Sequence, residues 1–179
     1  GNAGTILTSP DGIDWTDQSL EINNPQNLNG ISGVGNLLVA VGDAGSIYTS
    51  QDAVTWIEQA SGTNWDLNDL VLFRSYFGET TLEYLTNAVV VGQNGTILTS
   101  SDLETWNIQD SGTTSTLDGI TIGNSTFVAV SSIQGEIISS TDGEIWTDHN
   151  SGSNQGLQDV ISYNNTFLTV GGSNIVTAT

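Results

Sequence analysis

One pattern recurs four times along this chain, and it limits the fold more than any other feature. Thr8-Ser9-Pro10-Asp11-Gly12-Ile13-Asp14-Trp15 returns as Thr49-Ser50-Gln51-Asp52-Ala53-Val54-Thr55-Trp56. It returns again as Thr99-Ser100-Ser101-Asp102-Leu103-Glu104-Thr105-Trp106 and as Ser139-Ser140-Thr141-Asp142-Gly143-Glu144-Ile145-Trp146. The Asp-to-Asp intervals are 41, 50 and 40 residues. Each copy follows the same lead-in, a glycine turn and then a short apolar strand: Gly4-Thr5-Ile6-Leu7, Gly45-Ser46-Ile47-Tyr48, Gly95-Thr96-Ile97-Leu98 and Gly135-Glu136-Ile137-Ile138. Before the later lead-ins stand runs such as Leu37-Leu38-Val39-Ala40-Val41, Ala88-Val89-Val90-Val91 and Phe127-Val128-Ala129-Val130, and Phe167-Leu168-Thr169-Val170 opens a further unit near the end. Further upstream, apolar starts at Leu28, Leu67, Leu117 and Leu157 lead into one more strand each.

Each unit therefore holds about four short strands in roughly 40 residues, the period and strand count of a propeller blade. No sustained 3.6-residue apolar period occurs, so helix is a poor reading. The expected fold is an all-β propeller of about four blade equivalents, with four-stranded antiparallel blades and partial blades at both ends. A single domain is expected over 1–179, with units near 1–18, 28–59, 67–109, 117–149 and 157–179.

The Ser-x-Asp-x-x-x-Trp unit has a structural rationale. Ser and Asp oxygens accept hydrogen bonds from amides two or three residues on and fix a tight turn. Gly12 and Gly143 relieve that turn where positive φ is wanted. Ala53 and Leu103 stand there in the other copies, so those turns are expected to differ in type or to carry strain. The indole is expected where neighbouring sheets meet, with its N–H paired. On this reading Ser9, Asp11, Trp15, Ser50, Asp52, Trp56, Ser100, Asp102, Trp106, Ser140, Asp142 and Trp146 are structural.

The motif resembles the Asp-box, or BNR repeat, of sialidase-like propellers. The whole unit, with its Trp-Thr-x-x-x-Ser-Gly continuation from Trp146 to Gly152, is similar to the repeats of photosystem II assembly factors of the Ycf48-like group. The resemblance covers nearly the full chain and implies architecture more than activity. Sialidases of that type use a cluster of arginines with a Tyr nucleophile paired to Glu, and the assembly factors present a basic patch and have more blades. This chain has Arg74 as its sole Lys or Arg, so neither device can be built.

Charge sharpens the exclusion. One cation stands against 20 acidic residues, a formal −19. Nucleic acid and anionic membranes find nothing to pair with. No apolar run approaches the roughly 20 residues of a membrane span, so no membrane insertion is expected. Without Cys there are neither disulfides nor thiolate metal sites. His149 stands alone and reads as a loop residue, and no cofactor or metal site is expected. The start, Gly1-Asn2-Ala3-Gly4, lacks the regions of a signal peptide. With no Met, the chain reads as a processed form or a piece of something longer.

Two departures from the repeat invite a functional reading. The 50-residue interval marks an insertion of about ten residues, read as a lengthened hairpin turning near Gly78. Its Phe73, Arg74, Tyr76, Phe77 and Tyr84, with Trp65 just before it, form a candidate recognition loop for a sugar or a protein; the bland alternative is a hairpin that buries its aromatics. Sequons at Asn94, Asn124 and Asn164 lie at expected turns, where Asn is common in any case.

Ring closure stays open at this level. Both ends carry a third strand, giving about seventeen strands where four closed blades need about sixteen. The surplus segment hangs loose, the ring is completed by a second chain or by more of a longer chain, or the terminal strands pair onward into a filament. The expected function is non-catalytic: an extracellular or cell-surface scaffold, adhesion or binding module for a glycan or protein. The alternatives are a filament subunit joined by terminal strand exchange and a glycoside-active enzyme, for which two carboxylates at a set separation suffice.

Overall fold

The computed structural model describes residues 1–22, 25–77, 83–172 and 174–178, with backbone alone at 76–77, 83–85 and 174–178. The strands are β1 (Leu7–Thr8), β2 (Thr16–Asp17), β3 (Leu28–Val34), β4 (Leu37–Gly42), β5 (Ile47–Ser50) and β6 (Ile57–Gln59). They continue as β7 (Leu67–Phe77), β8 (Glu83–Gly92), β9 (Ile97–Ser100), β10 (Asn107–Gln109), β11 (Leu117–Gly123) and β12 (Thr126–Ser131). The last are β13 (Ile137–Ser140), β14 (Thr147–His149), β15 (Asp159–Tyr163), β16 (Thr166–Gly171) and β17 (Asn174–Ala178). They make five antiparallel sheets: β1–β2, β3 to β6, β7 to β10, β11 to β14, and β15 to β17. The three complete sheets coincide with the sequence units. No helix is long and apolar enough to cross a membrane among the described residues.

The sheets stand side by side, with β3, β7, β11 and β15 as successive inner strands. A fixed apolar rule joins them. Val41 on β4 shares a cluster with Leu70 on β7, Val91 on β8 with Ile120 on β11, and Val130 on β12 with Val160 on β15. Leu67, Leu117 and Leu157, the first apolar residue of each unit, are almost fully buried. Each such side chain contributes roughly 2–3 kcal/mol of burial.

Inner-strand polar groups reinforce the joints. Asn29 Nδ2 donates to the Leu67 carbonyl at 3.0 Å and Asn68 Nδ2 to that of Leu117 at 2.9 Å. Asp69 bridges two sheets, accepting from the amide of Leu70 at 2.8 Å and of Ile120 at 2.9 Å. At the same register the inner strands carry Gly30, Asp69, Gly119 and Asp159. The alternation is steric: a Cβ on Gly30 would lie 3.1 Å from Asp69 Cα, and one on Gly119 would lie 3.0 Å from Asp159 Cα.

The four turns share one geometry. The residue after each repeat Asp has positive φ whatever its type: Gly12 76°, Ala53 62°, Leu103 64° and Gly143 81°. The turn type is therefore the same throughout, and Ala53 and Leu103 carry left-handed strain. Leu103 sits in one cluster with Ala88 and Val39. Gly143 leaves that space to Phe127: a Cβ there would lie 3.4 Å from Val89, 3.5 Å from Thr99 and 3.8 Å from Phe127. In aligned units the turn residue and the second-strand residue thus exchange bulk, as Ala53 with Leu38, Leu103 with Ala88, and Gly143 with Phe127.

Three of the four repeat indoles pack where expected, and one of those three has its N–H paired. Trp106 and Trp146 enter the clusters between sheets, and Trp56 packs with Ile6 and Tyr48. Trp146 Nε1 donates to the Gly143 carbonyl at 3.0 Å, its ring tilted on Phe127 at 6.4 Å. Trp56 and Trp106 bury Nε1 without an acceptor among the described residues. Trp15, in contrast, lies exposed.

Among the described residues β1 pairs with β2 alone and β17 with β16 alone. The two terminal sheets do not join, and the chain forms an open arc.

Candidate functional site

The acids of the repeat are consumed by their own turns. Ser50 Oγ accepts from the amide of Ala53, and Asp52 Oδ1 from those of Val54 and Thr55 at 2.9 and 2.7 Å. The pattern repeats at Ser9 and Asp11, Ser100 and Asp102, and Ser140 and Asp142. The amides of Thr55 and then Val54 hold the Asp52 carboxyl down at about 2, and those of Thr105 and Glu104 do the same for Asp102. Asp11 and Asp142 are lowered for the same reason, led by the amides of Ile13 and Ile145. Carboxylates fixed in the charged form are poor proton donors.

Asp69 is the exception among the described acids. Burial pushes its carboxyl up, and the nearby charge of Asp159 adds to this. A raised carboxyl beside another acid is the signature of an acid–base pair. Here, however, both Asp69 oxygens accept backbone amides, which gives the residue a structural task. No group of three or more His, Asp or Glu side chains converges into a metal cluster among the described residues. His149 closes β14, its Nε2 2.7 Å from Ser139 Oγ.

The candidate recognition loop divides. Phe73 turns inward and meets Phe127 edge-on at 5.2 Å, as part of the core between two sheets. Its place in a ligand-facing loop is thereby corrected: strand alternation sends it to the buried face. Arg74, next along, lies outward over the β3–β4 turn, where a Cβ on Gly35 would meet its guanidinium. The hairpin is present as long strands, with Tyr76 opposite Tyr84 and Phe77 opposite Glu83. Its turn near Gly78 lies outside the described residues, as do the side chains of Tyr76, Phe77 and Tyr84.

Trp65 goes elsewhere. It lies in the loop Ser61-Gly62-Thr63-Asn64-Trp65, whose counterparts are Ser111-Gly112-Thr113-Thr114-Ser115 and Ser151-Gly152-Ser153-Asn154-Gln155. Only the first carries an aromatic at the fifth place, and its indole is half exposed. It borders a polar groove of about 590 Å³ together with Asn64, Asn94, Ile108 and Asp110. Asp66, the next residue, anchors the loop: Oδ1 accepts from the Ala44 amide at 2.9 Å and Oδ2 from Gln93 Nε2 at 2.7 Å. This ties the 3₁₀ turns Asp43–Gly45 and Gln93–Gly95 to one loop. Sequence reasoning found Trp65 and, as a sequon, Asn94, but not that they share a groove with Ile108 and Asp110, 43 and 45 residues from Trp65.

The three sequon asparagines are exposed at turns, with φ of 54° at Asn94, 49° at Asn124 and 46° at Asn164. Left-handed turn positions favour Asn on backbone grounds alone.

Four-stranded antiparallel sheets set side by side through successive inner strands define a β-propeller. No protein-family model matches the chain, and no curated protein matches it. Solved structures do. The structure described as "YCF48 bound to D1 peptide" is similar at TM-score 0.73 and 17% identity, over 100% of this chain and 58% of that one. The computationally designed Ika4 protein is similar at 0.64 and 13% identity, over 89% of this chain and 94% of its own. The designed Ika8 protein is similar at 0.66 and 12% identity, over 90% of this chain and 48% of its own. At these identities the likeness establishes the fold and nothing finer.

Proposed function

We propose that this chain is a non-catalytic, extracellular or cell-surface β-propeller unit of the Asp-box type, acting as a scaffold or binding module. Its recognition surface is the groove beside Trp65, and its ligand is an uncharged glycan or a protein segment. The observation that carries the reading is the Trp65 indole, the one aromatic among three equivalent loops, set half exposed among polar side chains. An aromatic face with nearby amides suits a sugar ring or a peptide. The YCF48 neighbour is described as bound to a peptide, which supports protein binding in general terms. The charge of −19 disfavours anionic glycans.

Support for the absence of catalysis is chemical. The four turn acids are tied to amides, and each oxygen of the raised Asp69 accepts one. Modification at Asn94 and ligand binding at Trp65 compete for the same groove, so at most one operates in a given molecule. Screening the chain against an array of neutral and acidic glycans, with Trp65→Ala beside it, tests the reading. Binding to neutral glycans that Trp65→Ala removes supports it. Binding unaltered by Trp65→Ala, or turnover of a glycoside substrate, overturns it.

A further inference from the structure

Both ends of the arc expose faces that every interior joint covers. Ile31 is 61% exposed, whereas its counterparts Leu70, Ile120 and Val160 are each 4%. Val170 is 46% exposed, whereas Val41, Val91 and Val130 are 0%. These are the two halves of the rule that joins successive sheets: a Val170-type residue packs on an Ile31-type residue of the sheet that follows.

A second, independent pair lies further out. Gly143 is held between Val89, Thr99 and Phe127. One unit on, the same positions are Val128, Ser139 and Phe167, and these line an open cleft of about 390 Å³ between the fourth and fifth sheets. The fifth sheet brings no Ser-x-Asp turn to fill it. The first turn of the chain, conversely, rests on nothing: no heavy atom comes within 4 Å of a Cβ built on Gly12, and Ile13 and Trp15 are exposed. The bulk exchange also fits, because Gly12 with Phe167 reproduces Gly143 with Phe127.

We infer that the fifth sheet of one chain and the first sheet of a second copy form one blade, and that two copies close head to tail into a ring. The Ser9-to-Trp15 turn of the second copy fills the cleft at Phe167. Ile31 of the second copy covers Val170, and its amide donates to Asp159 as that of Ile120 does to Asp69. The inner-strand alternation of Gly30, Asp69, Gly119 and Asp159 then continues unbroken, which requires an even number of units. Each copy supplies four units and a closed propeller holds about four to eight blades, so one further copy completes the open arc. The two-fold arrangement makes this head-to-tail contact twice, each time joining two different surfaces of the chain. In the joined blade β17 and the second copy's β1 claim one place beside β16. The second copy's β1 takes it, because Ile6 is anchored against Leu28 and Tyr48.

The test is the mass of the chain across a concentration series by light scattering and sedimentation. Two copies of 18.8 kDa are expected, with no larger species. Gly12→Leu leaves each chain folded, since Leu103 holds the same φ in an equivalent turn, and it weakens association at least tenfold by colliding with Phe167. Adding Phe167→Ala to Gly12→Leu restores association, because the pair copies Leu103 and Ala88. Ile31→Asp, at a position exposed in the single chain, also weakens association and does not depend on Phe167 variants folding. A chain stopped after Gly172 associates at least as tightly as the full chain. A single-chain mass at every concentration overturns the inference and leaves further repeats of a longer chain as the cover. A ladder of growing masses overturns the closed ring, and an unchanged Gly12→Leu overturns the joined blade. None of these outcomes bears on Trp65.

Discussion

The exchange of bulk between turn and second strand can be measured inside one chain at Leu103 and Ala88. Both are buried in one cluster, at 4% and 1% exposure. Leu103→Ala removes a packed side chain and costs about 3 kcal/mol by the usual large-to-small scale. In ordinary backbone a further step to glycine costs roughly 1 kcal/mol more. At φ 64° the sign reverses, because an L-residue there carries left-handed strain of about 1 kcal/mol that glycine releases. Leu103→Gly is therefore expected to cost no more than Leu103→Ala. Ala88→Phe alone overpacks the cluster, at about 1–3 kcal/mol. The double variant reproduces the Gly143 and Phe127 arrangement and should lose less than the sum of the singles, with a coupling of about 1–3 kcal/mol. Equilibrium urea unfolding followed by tryptophan fluorescence reads the parent and all four variants, with constant slope as the check on a shared unfolding transition. Two results would refute the reasoning: additivity within about 0.5 kcal/mol, or a glycine variant clearly less stable than the alanine one.

Gly45→Ala should unfold at markedly lower denaturant than the parent, since its Cβ would meet the Thr63 carbonyl at 2.2 Å; Gly112→Ala, with similar φ but open space, should lose only about 1 kcal/mol. Acid stability should be biphasic. The folded Asp69 carboxyl is raised, so folding strengthens as pH falls through that group's range. The Asp52 and Asp102 carboxyls are lowered to about 2, so their contribution is complete above the ordinary carboxylate range and is lost as pH falls toward 2. A thermal melting series across acid pH checks both slopes, and Asp69→Asn should abolish the first alone. Asn68→Ala should destabilise the joint between the third and fourth sheets by about 1 kcal/mol through the lost bond to the Leu117 carbonyl, read by urea unfolding.

Strand positions and unit boundaries were legible because each unit repeats the same local chemistry: an apolar run, a glycine turn, a second apolar run, and an Ser-x-Asp turn. Such signals lie within a few residues of one another, so spacing alone reveals them. The shared left-handed conformation at Ala53 and Leu103 was not legible, since those residue types disfavour it and interior packing decides the matter. Phe73 looked like a loop aromatic because the inserted hairpin extends its strand, and alternation within that strand sends Phe73 in and Arg74 out. The groove at Trp65 joins residues from three separate segments, and no local pattern predicts that meeting. Asp69 was one acid among 20, and only the inner-strand alignment of Gly30, Asp69, Gly119 and Asp159 singles it out.

That alignment explains how so acidic a chain can form joints with almost no cations. An acid at the inner strand needs a donor, and the following sheet supplies a backbone amide, as Ile120 does for Asp69. It also needs room, and the preceding sheet supplies a glycine, as Gly30 does for Asp69 and Gly119 for Asp159. Two acids on adjacent inner strands would lose both conditions and add repulsion, which Asp69 already feels from Asp159 across one intervening strand. Backbone dipoles therefore take the place of the lysines and arginines that this sequence lacks, both at the inner strands and in the turns around Asp52 and Asp102. In the turns, where the folded form favours the charged Asp52 and Asp102 carboxylates, removing that charge should loosen the turn before it alters any binding at Trp65.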